Sequence, residues 1–162
     1  MIDTVATDHC PFQSYEKDWG KDDFTKIPNG CPGVENLYPY MLDAANSGKI
    51  TFERAVELCS TNVAKIFGCD NKGSISVGKD ADIVIYDKDK DFTISVDNMH
   101  SDLDHTIWEG KQLHGYPIRT YLRGNVVYDN GDFVGTPGLG EYSKTKPKKT
   151  LNPIIQTLNI IL

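Results

Sequence analysis

The sequence predicts a mixed fold, α/β followed by β: a strand ending in a carboxylate, as strands of a (β/α)8 barrel do, then helices and a small β unit. Three observations carry this. The apolar pair Val5-Ala6 stops at Asp8 and is followed by Pro11, as a short buried strand ending at a loop would be. Apolar residues recur at helical spacing through residues 35–67, and from Gly73 onward the spacing shortens to that of strands. A complete barrel of this kind needs roughly 250 residues. The chain has 162, so if Asp8 sits on a barrel strand, most of that barrel is missing from it.

Asp8 is the first candidate for chemistry, because barrel strands end at the active-site face. A turn or capping aspartate that accepts the Cys10 N–H is the alternative on local grounds. After Phe12 comes a polar stretch and then Ile27-Pro28-Asn29-Gly30-Cys31-Pro32-Gly33. Prolines preset φ and glycines permit positive φ, so this segment is a loop of defined shape. Asn29, between Pro28 and Gly30, offers an amide donor and acceptor to a substrate, or forms a plain Asn-Gly turn.

Leu37, Tyr38, Met41, Leu42 and Ala45 mark a packing helix over residues 35–47 with Gly48 as its stop. Thr51 is the expected N-cap of a second helix whose inner face is Phe52, Ala55, Val56 and Cys59. Ser60 or Thr61 is expected to cap a third, Asn62 to Phe67, ended by Gly68. Residues 72–87 read as short strands around a Gly78-Lys79-Asp80 turn, Pro117 to Leu122 as a strand, and Val126 to Val134 as a hairpin turning at Asn130-Gly131. From Thr136 onward Gly, Pro, Ser and Lys dominate, which predicts a tail. Leu151 to Leu162 is apolar without amphipathic spacing.

His100, Asp102, Asp104 and His105 invite a metal reading, but they lack the H-x-H or H-E-x-x-H arrangement and fit a strand-edge loop. His114 before Gly115 reads as a turn or surface histidine.

Composition narrows the function classes. Hydrophobic residues at 39% and charged residues at 25% are ordinary for a soluble globular protein. A net charge of −6 and a pI near 5.1 argue against a nucleic-acid surface, which needs a basic patch to neutralise phosphates. Cys10, Cys31, Cys59 and Cys69 form no C-x-x-C pair, and with no secretory pattern before them they are expected to be reduced thiols in the cytoplasm. No apolar stretch approaches the ~20 residues of a spanning helix, so no membrane partner is expected.

The order of motifs resembles one family. Thr7-Asp8-His9-Cys10-Pro11-Phe12, Gly20 to Gly30, Ser60 to Phe67, Lys72-Gly73-Ser74-Ile75 and Val77-Gly78-Lys79-Asp80-Ala81-Asp82 are similar to the C-terminal third of dihydropyrimidinases and D-hydantoinases, cyclic-amide hydrolases of the amidohydrolase superfamily. The Gly-x-Asp-Ala-Asp pattern is shared across that superfamily, whereas Asp8-His9-Cys10-Pro11 together with Ile27-Pro28-Asn29-Gly30 is more specific. The resemblance implies hydrolytic opening of a dihydropyrimidine or hydantoin ring to an N-carbamoyl amino acid, as in pyrimidine catabolism. It implies two divalent metal ions, zinc by that resemblance, with Asp8 as metal ligand and proton carrier, Asn29 as substrate ligand for the imide, and His9 in a supporting role.

Under this reading residues 1–69 hold the last strand, active-site loop and helices of the barrel, 70–135 a portion of a small β-sandwich, and 136–162 an extended C-terminal tail. The family's remaining histidine ligands and its metal-bridging lysine come earlier in full-length relatives. The isolated chain is therefore expected to be an inactive, truncated enzyme segment, and the full-length enzyme a homo-oligomer acting on a small cyclic ureide or imide. A non-catalytic, dihydropyrimidinase-related scaffold and an oligomerisation module are the alternatives. Asp8 and Asn29 favour the enzyme, since a scaffold needs neither a carboxylate at a metal nor an amide at a ring.

Overall fold

The computed structural model describes residues 2–146. Helices fill the first half: α1 (Ser14–Lys17), α2 (Leu37–Asn46), α3 (Phe52–Val56) and α4 (Asn62–Phe67). The second half is an antiparallel sheet of β1 (Ile83–Thr93), β2 (Gln112–Leu122), β3 (Asn125–Asp129) and β4 (Asp132–Phe133), ordered β1-β2-β3-β4. The apolar tail 151–162 lies outside the described residues.

α2 forms where the apolar spacing predicts it and ends before Gly48, whose φ of 74° is the left-handed stop. Its buried Leu42 and Ala45 join Ala55, Leu58, Ile94 and Leu113 in the core, which lies where α2 meets α3 and β2. Asp43 is buried at the same junction, and its carboxylate accepts the His114 N–H at 2.8 Å. One helix side chain is thereby tied to the start of β2.

Thr51 caps α3 as expected, its hydroxyl accepting the Arg54 N–H at 3.1 Å. The third helix forms with the expected bounds, Asn62–Phe67, but Thr61 does not cap it with its side chain. α3 runs through a π-helical turn, Glu57–Thr61, directly into α4, and the Thr61 hydroxyl donates instead to the Gly73 carbonyl at 2.8 Å. Gly68, at φ 68° and ψ 37°, ends α4 as expected.

The strands expected within 72–82 are also corrected. Those residues form turns, and the strand starts at Ile83. Asp80 and Asp82 are the reason: both carboxylates pair with Lys72, Asp80 at 2.8 Å, and Asp82 also accepts the Arg123 N–H at 2.8 Å. The Gly-x-Asp-Ala-Asp motif therefore clasps three turns together, and its acidic side chains are engaged in that structural role. The Asn130-Gly131 hairpin is as expected, with φ of 51° and 116°.

The buried strand at Val5-Ala6 forms no ladder, and Ala6 is exposed. The segment makes one isolated parallel bridge, His9↔Cys31. A barrel strand is stabilised by a neighbour on each side, and among the described residues only the loop before Pro32 is bridged to this segment. What the described residues show is thus a set of helices packed on an antiparallel sheet.

Candidate active site

Four contacts hold the segment that carries Asp8. The Val5 N–H donates to the Leu58 carbonyl at 3.3 Å, inside the π-helical turn, where departure from the i→i+4 ladder leaves a carbonyl for an outside donor. Asn62 Nδ2 donates to the Asp3 carbonyl at 3.0 Å, and the Arg54 guanidinium to the Ile2 carbonyl. At the far end the Cys10 N–H donates to the Cys31 carbonyl at 3.2 Å. Between these anchors Asp8 takes a φ of 49°, a left-handed conformation that aspartate tolerates better than most residues. Its side chain is exposed.

The parallel bridge sets the Asp8-His9 segment beside the Asn29-Gly30-Cys31 loop, so Asp8 and Asn29 stand on adjacent stretches of chain. His9 reinforces that pairing. Its Nδ1 accepts the Gly33 N–H at 3.1 Å and the Val34 N–H at 3.4 Å, which places the ring proton of the neutral imidazole on Nε2. Lys17 Nζ closes the other side of the loop by donating to the Pro28 carbonyl and, at 2.8 Å, to the Gly30 carbonyl. Asn29 is exposed, with its amide at the loop surface.

A cavity of about 860 Å³ opens next to this region between the loop after Cys31, α2 and the sheet. His9, Glu35, Tyr38, His100, Tyr116 and Tyr128 are among its lining residues. Burial pushes the Tyr116 phenol well above its ordinary range, so it remains protonated and can serve as a donor. Glu35 and His100 are a functional-looking pair that the sequence reading missed. They are 65 residues apart, and no spacing rule joins them.

The suspected cluster at 100–105 separates into different roles. His100 turns to Glu35, while His105 Nδ1 lies 2.9 Å from Asp104 Oδ1. The Asp104 carboxylate also accepts the Ser14 N–H at 3.0 Å, and with Gln13 bonded to the Asp102 carbonyl the loop is docked on the start of α1. The hydrogen bond from His105 holds the Asp104 carboxyl below the usual carboxylate range. Among the described residues no three histidine, cysteine or acidic side chains converge as metal ligands. His114 is exposed, and Asp91, 2.6 Å from its Nδ1, raises its pKa.

The Amidohydrolase family profile matches residues 41–128. The chain belongs to the amidohydrolase family. Across that family's curated members it is 40% identical over 152 residues to D-hydantoinase from Rhizobium radiobacter, covering 92% of this chain and 33% of the relative. It is 44% identical over 148 residues to dihydropyrimidinase from Rattus norvegicus, covering 90% of this chain and 28% of that one. The crystal structure of dihydropyrimidinase from Brevibacillus agri superposes with a TM-score of 0.87 at 43% identity, over 92% of this chain and 33% of that one. The chain spans about a third of the length of the amidohydrolases it matches.

Proposed function

We propose that this chain forms the C-terminal part of a metal-dependent cyclic amidohydrolase, a dihydropyrimidinase or hydantoinase, that opens a dihydropyrimidine or hydantoin ring to an N-carbamoyl amino acid. The observation that supports this reading is the His9↔Cys31 bridge, which runs the segment carrying Asp8 alongside the loop carrying Asn29, in a chain 40% identical to a D-hydantoinase. In this reading residues 1–69 end a barrel, 70–135 contribute to a small sandwich, and 136–162 form a C-terminal extension.

Each residue has a stated part. Asp8 is the metal ligand this chain contributes, and its carboxylate takes a proton from the attacking water and passes it to the leaving ring nitrogen. Two divalent ions, zinc in this reading, supply water activation and carbonyl polarisation when bound. Asn29 meets the imide of the ring with one donor and one acceptor. His9 is a positioning residue, since its Nδ1 holds the Gly33 and Val34 N–H groups and so keeps the Asn29 loop against the Asp8 segment.

An exposed aspartate fits one share of such a metal site, but the described residues do not fit a whole one. The chain alone is therefore inactive, and the other ligands come from the two thirds of the relatives that it does not span. The complete enzyme is a cytoplasmic homo-oligomer in this reading.

The test is hydrolysis of dihydrouracil and hydantoin, with bound metal quantified, for the chain alone and joined to the N-terminal part of a relative. Metal binding and turnover only in the joined protein, abolished by Asp8→Asn, support the proposal. Turnover by the chain alone overturns the claim that it lacks a complete site. A joined protein that folds but neither binds metal nor opens a ring points instead to a non-catalytic scaffold.

A further inference from the structure

His100 is held by acceptors on both sides of its ring. Nδ1 lies 2.9 Å from Glu35 Oε1, and Nε2 lies 2.9 Å from the Gly131 carbonyl. A carboxylate and a carbonyl both accept, and neutral imidazole carries one N–H, so only the imidazolium satisfies both contacts. The His100 main-chain N–H adds bonds to both Glu35 oxygens, at 2.9 and 3.1 Å.

The three partners come from separate parts of the fold. Glu35 precedes α2, His100 follows the short helical turn Val96–Asn98, and Gly131 is the turn between β3 and β4. Glu35, His100, Tyr128 and Phe133 all line the large cavity, so this contact spans its rim from the helix side to the hairpin side.

We propose that His100 is a proton-dependent clasp: as imidazolium it ties the approach to α2 to the β3–β4 turn across the cavity rim, and as neutral imidazole it releases one of them. The groups facing the ring are the Glu35 carboxylate, the Gly131 carbonyl, the Asp132 carboxylate and the edge-on Tyr128 ring, whose centroid is 5.9 Å away. The two carboxylates favour the cation, and Tyr128 contributes no positive charge. The hydrogen bond to Glu35 is the largest cause of a His100 pKa above the ordinary imidazole range, outweighing the partial burial of the ring. Because the pKa is raised on folding, the clasp is fully present below the unfolded value and is lost as pH rises through the folded one. Glu35 is the partner retained after proton loss, since Nδ1–H can still donate to a carboxylate, so the hairpin turn is the side released.

The test is long-range proton–nitrogen NMR of the histidine rings across pH, with hydrogen exchange of the Val134 amide, which bonds to the Val127 carbonyl at 3.0 Å inside the hairpin. His100 is expected to remain doubly protonated above the free imidazole value of about 6.5. As it deprotonates, Val134 protection, corrected for intrinsic exchange, is expected to fall by about fivefold, the scale of one lost hydrogen bond. Glu35→Gln should lower the titration strongly and Asp132→Asn only slightly. A His100 ring that is neutral below the free value, or a Val134 protection factor that does not follow the His100 titration, overturns the clasp. Both readouts exist in the unsubstituted chain, so a variant that fails to fold does not remove the test.

Discussion

Gly30 lies against Cys10 so closely that a Cβ at position 30 would sit 2.3 Å from the Cys10 carbonyl oxygen. With a φ of 134°, Gly30 also has a backbone that side chains of L-residues rarely adopt. These two facts explain why the loop carrying Asn29 can lie beside the segment carrying Asp8.

Gly30→Ala is therefore expected to separate the two segments. The cost should be about 1–3 kcal/mol from backbone strain and overlap, read as a lowered denaturation midpoint. In the joined enzyme the same change should raise KM, because the Asn29 loop is displaced. An unchanged midpoint together with an unchanged KM would show that the two segments do not need this contact.

Asn29→Ala in the joined enzyme should weaken substrate binding by roughly tenfold, the scale of one or two hydrogen bonds to the ring. Steady-state kinetics on dihydrouracil and hydantoin check this. A KM equal to that of the parent for both rings would remove Asn29 from the substrate site.

Asn62→Ala removes the donor to the Asp3 carbonyl while leaving the Val5 to Leu58 contact in place. A stability loss of about 1 kcal/mol is expected for one hydrogen bond. Hydrogen exchange should also show faster exchange at Val5, because the same segment loses one of its anchors. Unaltered exchange there would mean that Leu58 and Arg54 suffice.

The Lys72 clasp predicts pH dependence at both extremes. Bonds to Asp80 and Asp82 raise the Lys72 pKa, so this contribution is present below the ordinary lysine value and lost as pH rises through the raised one. For Asp82, burial works upward, but bonds from Lys72 and the Arg123 N–H outweigh it and lower the pKa. That contribution is present above the ordinary carboxylate value and lost as pH falls through the lowered one. Lys72→Met should remove the alkaline dependence, weaken the acid one while the Arg123 N–H still bonds Asp82, and cost up to about 1 kcal/mol near neutrality, the scale of a partly exposed ion pair. Urea denaturation at acid, neutral and alkaline pH provides the measurement.

Gly115→Ala should be among the more damaging single changes in the sheet. Its Cβ would lie 1.8 Å from the Tyr86 hydroxyl oxygen and 2.4 Å from Tyr86 Cζ, at a φ of 91°. Overpacking and strain together predict a loss of about 2–4 kcal/mol. Adding Tyr86→Phe should restore little, since Cζ remains, whereas in a Tyr86→Ala background, whose own truncation cost is measured separately, Gly115→Ala should cost only its φ strain. Thermal unfolding of each double variant against its Tyr86 single variant distinguishes these outcomes.

Local chemistry was enough to make α2, the Thr51 cap, the Gly68 stop and the Asn130-Gly131 turn legible in the sequence, because each depends on residues within a few positions of one another. The Asp8 and Asn29 motifs could likewise be singled out before any fold was known. What only the tertiary structure decided lies in contacts between distant segments. The π-helical turn accepts the Val5 N–H from more than fifty residues away. Asp80 and Asp82 turn the expected early strands into a clasp on Lys72. His100, one of a suspected metal cluster, instead meets Glu35 and Gly131. Backbone propensity is short-ranged and readable from neighbours, whereas the partner of a charge or of a released carbonyl depends on which segments packing brings together.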